Sequence, residues 1–247
     1  METLTQKMKA RKNPNEVIDK ILSAYPRQWT PSKGDPFKAL VRTILSQNTN
    51  WKNVEKAYKR LEETIEVTPK AISAASISDI AEAIRPAGLY NKKSTTLKEV
   101  ASKILTLYDG DLTQVVSKPY PEAREELMKL PGVGEKTADV VLLFNAGKQV
   151  LPIDRHIARI SKRLGLVLSN SDYDTIRLTL ESETAPENYL DAHIKLIQFG
   201  RDICRALNPK CSVCPISHLC PKIAEAGRNH KPTMETESSS KRPKRAE

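Results

Sequence analysis

The stretch Leu130-Pro131-Gly132-Val133-Gly134-Glu135-Lys136-Thr137-Ala138 decides the reading of this chain. Two helical patterns meet across it. Upstream, Pro121 to Leu130 opens on a proline and acidic residues, as helix starts do. Downstream, Lys136 to Ala146 carries Val140, Val141, Leu143 and Phe144 close to helical period. The glycines permit a positive φ or a close backbone approach that a side chain would block. The N–H groups of such a turn, and of the first turn after it, face outward and can take a phosphate. Lys136, two residues past Gly134, sets an amine beside that anion site.

The rest of the chain reads as helix throughout. Its 247 residues include only 9 glycines and few aromatics, and strong helix formers dominate. Apolar residues at helical spacing predict helices over 15–25, 37–45, 51–62, 69–74, 77–84, 90–108, 112–116, 155–164, 172–182 and 186–205. The polar run Ser46-Gln47-Asn48-Thr49-Asn50 interrupts two of them, and Trp29 to Pro36 reads as a loop. Residues 1–13 read as a frayed end, and 226–247 as a disordered basic tail containing Lys241-Arg-Pro-Lys-Arg245. That run reads equally as a nuclear signal or a loose DNA-binding extension. The fold class is therefore all-α.

The formal charge is +10, which points to a polyanion partner. Residues 222–247 hold seven Lys or Arg and four Glu, so most of the excess belongs to the rest of the chain. No apolar run approaches membrane-spanning length and no signal peptide is visible, so the expected location is intracellular.

All four cysteines lie in one loop, Cys204-x6-Cys211-x2-Cys214-x5-Cys220, which excludes a scattered disulfide framework. Four thiolates within 17 residues hold either Zn²⁺ or a [4Fe–4S] cluster. Zinc loops usually bring two close pairs. The gaps of 6, 2 and 5 contain one close pair and favour the bulkier cluster. Arg201, Arg205, Lys210 and Lys222 flank the loop, either as solvated charge or as contacts to a phosphate backbone.

Taken together, the hairpin, Ile153-Asp154-Arg155-His156 with Asp154 18 residues after Lys136, and the cysteine loop resemble endonuclease III. That family is the branch of the helix–hairpin–helix DNA glycosylases with an iron–sulfur loop, and the resemblance covers about 15–222. It implies a two-lobed fold. A six-helix bundle with the hairpin spans 37–148; a terminal-helix domain carrying the [4Fe–4S] cluster on Cys204, Cys211, Cys214 and Cys220 combines 1–36 with 149–225. It implies double-stranded DNA with a damaged base or an abasic site as partner, bound across the cleft by a monomer. The place would be the cytoplasm, associated with the nucleoid, or the nucleus of a eukaryote.

The implied activity is removal of oxidised pyrimidines followed by strand cleavage, with Lys136 as amine nucleophile and Asp154 as the supporting carboxylate. On their own, the two residues read as a solvated lysine and a helix N-cap. Gly132, Gly134 and Lys136 would grip a phosphate through their N–H groups. Gln47 or Asn48 would fill the gap left by the extruded base, the alternative being a turn that caps the next helix. His156 fits the family's Asp-x-His pattern, as a DNA contact or a structural hydrogen bond. Two positions depart from the pattern. Asp139, where the family more often has Asn, offers Lys136 a rival partner one turn on, and Glu135 stands where a basic residue is common. The rival readings are a mismatch thymine/uracil glycosylase, which lacks the lysine, and a non-enzymatic helix–hairpin–helix module. An adenine glycosylase needs a glutamate about where Arg42 stands.

Overall fold

The computed structural model describes residues 14–26 and 34–221. Among them every regular element is helical. The expectations for residues 1–13, for most of the loop before Pro36 and for the basic tail fall outside the described residues. No described helix is long and apolar enough to cross a membrane.

Local sequence explains where the helices begin. Helix α1 (Pro14–Ser23) turns Val17, Ile18 and Ile21 inward. Helix α2 (Pro36–Ser46) starts at Asp35, whose Oδ1 accepts from the Phe37 N–H at 2.7 Å. Pro36 sits in its first turn, where a missing N–H is harmless. Helix α3 (Trp51–Thr64) is capped by Asn50, which accepts from the Asn53 N–H at 3.0 Å. Thr68 and Ser76 cap the short α4 (Pro69–Ala74) and α5 (Ile77–Ala83) in the same way. Both pack on the long α6 (Tyr90–Tyr108).

The single turn α7 (Thr113–Val116) leads to α8 (Tyr120–Met128) and α9 (Glu135–Phe144), the two arms of the hairpin. Helix α9 packs on α8 and α2. An extended link then leads to α10 (Arg155–Leu164), which Gly165 ends at φ 71°. Helices α11 (Tyr173–Ser182) and α12 (Tyr189–Asp202) follow. Helix α12 packs on α10 and on α1, so the two ends of the described chain meet. One contiguous apolar core runs from Val17 to Ile216.

The spacing predicts one helix over 186–205; the chain instead makes a 3₁₀ turn at Pro186–Asn188 and begins α12 at Tyr189. The Asn188 N–H returns to the Ala185 carbonyl at 2.8 Å, three residues back, which tightens the turn. At the other end the N–H groups of Ile203 and Cys204 both converge on the Phe199 carbonyl (3.0 and 2.9 Å), and the chain leaves the helix for the cysteine loop.

Candidate active site

The hairpin depends on its first glycine. Gly132 has φ 69°, and a Cβ there would lie 2.7 Å from Thr96 Cγ2 on α6. Gly134 is different: it has ordinary φ, and a Cβ would meet nothing within 4 Å. It is the N-cap of α9 and carries no side-chain cap. The Thr137 N–H returns to the Gly134 carbonyl at 2.9 Å; the Glu135 and Lys136 N–H groups start the helix at an exposed glycine, with the positive end of the helix dipole behind them.

Gln47 and Asn48 take different places. Gln47 Nε2 donates to the Gly132 carbonyl (3.1 Å) and to Thr137 Oγ1 (3.4 Å), so its amide lies against the hairpin. Asn48 is exposed with φ 56° and turns the chain. The capping role falls to Asn50.

Lys136 is half-buried on α9 and shares a cavity of about 440 Å³ with Arg42, Tyr58, Phe144, Asn145 and His193. Burial pushes its ammonium below the ordinary lysine value, and the charge of Arg201 adds to that. Asp154 faces it and pulls the other way. Asp154 is indeed the N-cap of α10: Oδ1 accepts from the N–H groups of His156 and Ile157, both at 2.8 Å. Both bonds go to one oxygen, which fixes the carboxylate and leaves Oδ2 for other work.

His156 is half-buried and held by protein groups. The Arg159 guanidinium donates to His156 Nδ1 (3.0 Å) and to the carbonyls of Gly200 (2.9 Å) and Cys204 (3.0 Å). An imidazole accepting at Nδ1 is neutral, and burial lowers its proton affinity. Gly200 allows the close crossing: a Cβ there would lie 2.7 Å from His156 Cβ.

The four thiols line a second cavity, of about 160 Å³, together with Arg163, Phe199 and Ile216. Arg163 Nη1 donates to Cys204 Sγ at 3.6 Å. Burial and the other three thiols push the Cys214 thiol up. Among the described residues no three His, Cys, Asp or Glu side chains close on a single ion. Four sulfurs ringing a cavity fit a cluster better than one tetrahedral ion.

Residues 41–186 match the family model for the HhH-GPD superfamily base excision DNA repair protein. The chain belongs to this superfamily. Residues 204–220 match the iron–sulfur binding domain of endonuclease III. The chain is 33% identical to endonuclease III of Thermotoga maritima over 213 residues, covering 86% of this chain and 94% of that protein. To endonuclease III of Sulfolobus acidocaldarius it is 38% identical over 185 residues, 74% of this chain and 81% of the other. A non-covalent endonuclease III–DNA complex superposes with a TM-score of 0.76 at 30% identity, covering 92% of this chain and all of that one. A thermostable thymine-DNA glycosylase superposes with 0.72 at 26% identity, covering 85% and 97%.

This HhH-GPD protein is thus a base excision repair DNA glycosylase and abasic-site lyase with a [4Fe–4S] cluster. Cys204, Cys211, Cys214 and Cys220 would hold the cluster, which when bound ties the loop into one rigid piece.

The structure changes the reading of the two departures. Asp139 does not pair with Lys136. It is fully buried and accepts from the hydroxyls of Tyr120 (3.0 Å) and Tyr173 (2.8 Å) and from Arg124 Nε (3.1 Å). Its carboxylate turns to α8 and α11, and burial raises its proton affinity against those three donors. Glu135 reaches the same arginine, with its carboxylate 3.5 Å from Arg124 Nη2.

Two residues of the site carry no motif. His193, in the middle of α12, lines the Lys136 cavity and bonds the Pro152 carbonyl through Nδ1 at 2.8 Å. A carbonyl only accepts, so Nδ1 carries the proton. Burial and the Lys136 charge hold this imidazole neutral, pushing its pKa down to about 4. Tyr173 bonds the Ile153 N–H at 3.2 Å, immediately before Asp154. The sole sequence signal for His193 is its rarity, one of four histidines in an otherwise apolar helix face.

Proposed function

We propose that this enzyme removes oxidised pyrimidines from double-stranded DNA and cuts the strand through a Schiff base on Lys136. The observation that carries the reading is a desolvated lysine that interacts with a fixed carboxylate and lines a base-sized cavity beside a glycine turn able to take a phosphate. The cavity of about 440 Å³ lies within the roughly 300–1,000 Å³ typical of ligand pockets.

The chemistry follows from those groups. A lowered proton affinity leaves more of the Lys136 amine neutral. The Nζ lone pair attacks the sugar C1′, and the bond from C1′ to the base breaks with its electron pair leaving on the base. Asp154 stabilises the positive charge that grows on the sugar. Loss of a proton from Nζ and opening of the ring give an iminium, which acidifies the C2′ proton. Removal of that proton expels the 3′ phosphate by β-elimination. The hairpin N–H groups of Gly132, Gly134 and Lys136 hold a backbone phosphate, a contact that is independent of sequence. Gln47, braced on Gly132, fills the space of the extruded base.

In this reading the lobes are 37–148 and the terminal residues with 149–225, the enzyme acts as a monomer, and Lys136 and Asp154 face each other across the lobe boundary. Duplexes carrying thymine glycol, or a G·T mismatch, test the substrate class. Release of thymine glycol with a nicked strand is expected. Release of mismatched thymine alone, with the strand intact, would refute it.

A further inference from the structure

The residues between α9 and α10 form no secondary structure, yet three consecutive backbone groups before Asp154 are each taken by a side chain. The Leu151 N–H donates to Glu181 Oε1 at 2.9 Å. The Pro152 carbonyl accepts from His193 Nδ1 at 2.8 Å. The Ile153 N–H donates to the Tyr173 hydroxyl at 3.2 Å. These side chains come from α11 and α12, so the link is gripped by elements that follow it in the chain.

The grip continues to the helix that carries Lys136. The Tyr173 hydroxyl accepts from Ile153 and donates to Asp139 Oδ2 at 2.8 Å. Asp139 is one turn beyond Lys136 on α9. A second path closes the loop. Arg124 bonds both Asp139 (3.1 Å) and Asp174 (3.0 Å). Arg177 bonds Asp174 (3.1 Å) and Glu181 (2.8 Å), and Glu181 holds Leu151. Asp139, Arg177 and His193 are buried, which shields the bonds they make to the link and to Tyr173, whereas the Asp174 carboxylate is partly exposed.

We propose that Tyr173, His193 and Glu181 clamp the link and, through Asp139, set the spacing between Lys136 and Asp154, which makes them positioning residues for the reaction. The inference rests on the roles proposed above for Lys136 and Asp154. Buried backbone groups need partners in any fold. What exceeds that need is the route: one hydroxyl joins the residue before Asp154 to the helix of Lys136, and a ring of ion pairs returns to the same link. A displacement of about 1 Å between reacting groups can cost on the order of 100-fold in rate.

Single-turnover borohydride trapping on abasic-site duplex provides the test, with DNA affinity and melting measured on the same proteins. Tyr173→Phe removes both hydroxyl bonds with little change of shape. Its trapping rate is expected to fall about 10–100-fold with DNA affinity unchanged. Its acidic limb of trapping against pH should move to lower pH. Asp154 raises the Lys136 pKa and Arg201 lowers it; Asp35, Lys38, Arg42, Tyr58, Glu62 and His193 also line the cavity that the amine shares. His193→Asn keeps an N–H near the Nδ1 position and should retain most of the rate, whereas His193→Leu should lose it. A Tyr173→Phe protein that is folded at the assay temperature, with wild-type rate and pH limb, overturns the clamp. If wild-type protein gives no adduct on Lys136, the catalytic reading falls first. An adduct on Lys136 that is insensitive to Tyr173→Phe removes the clamp alone.

Discussion

Replacing Gly132 by alanine imposes two separable penalties on the hairpin. The first is conformational: φ is 69°, in the left-handed region, where a non-glycine residue pays about 1–2 kcal/mol. The second is steric: the new Cβ lies 2.7 Å from Thr96 Cγ2, against an optimal carbon separation of about 3.5–4.0 Å. Relieving that overlap against a packed helix costs about 1–3 kcal/mol. The sum, roughly 2–5 kcal/mol, lowers Tm by roughly 4–20 °C in a domain of this size. Thr96→Ala removes the offending methyl and leaves the Thr96 Cβ position at 3.8 Å. In that background the steric part of the Gly132→Ala penalty disappears and about 1–2 kcal/mol remains. Gly134→Ala is the internal control. Its φ is −95° and its Cβ meets open space, so stability should hardly change. On the phosphate contact proposed for this turn, DNA binding should still weaken. Denaturant unfolding of the four proteins, with duplex titrations, measures all of this. A Gly132→Ala protein as stable as wild type, or one equally destabilised with and without Thr96, refutes the geometry argued for the turn.

Other consequences are equally direct. Asp154→Asn removes the group that raises the Lys136 pKa, so the acidic limb of adduct formation should move to lower pH while the maximal rate falls; trapping rates across pH check both signs. His193 is held neutral in the fold, with its pKa down to about 4 from 6.5. The unfolded chain therefore takes up a proton first, and the stability this group contributes is complete above 6.5 and lost as pH falls towards 4. The loss is about 3 kcal/mol. Urea unfolding should show the wild-type advantage over His193→Leu shrinking by that amount across the window. Cys211→Ser should abolish the iron–sulfur absorption near 400 nm and loosen the loop at 204–220, lowering Tm. Iron analysis and melting measure it.

Much of the site was legible in the sequence, and particular residues show why. The glycine turn, the Lys136–Asp154 spacing and the cysteine gaps are local patterns whose geometry follows from the backbone. The caps were legible too: Asp35, Asp154 and Asp172 each start the helix that the pattern places after them. Helix ends were less so, since α12 stops at Asp202 because two N–H groups share the Phe199 carbonyl, a matter of loop packing. Asp139 shows the limit of i,i+3 reasoning. Its side chain finds Arg124, Tyr120 and Tyr173, from two other helices, in place of the lysine one turn away. His193 and Tyr173 act on the link only after α11 and α12 have docked, and no spacing rule connects residues 152 and 193. That Gln47 lies against the hairpin also needed the fold, because its partners lie some 85 and 90 residues further on.

The central claim is that the Lys136 amine is the nucleophile. Borohydride reduction of the protein with duplex DNA bearing an abasic site or thymine glycol, followed by proteolysis and mass mapping of the cross-linked peptide, tests it most directly. The account predicts one adduct on the peptide containing Lys136, absent in a folded Lys136→Ala protein that still binds DNA. An adduct on another residue, or none from the wild-type protein, would contradict it.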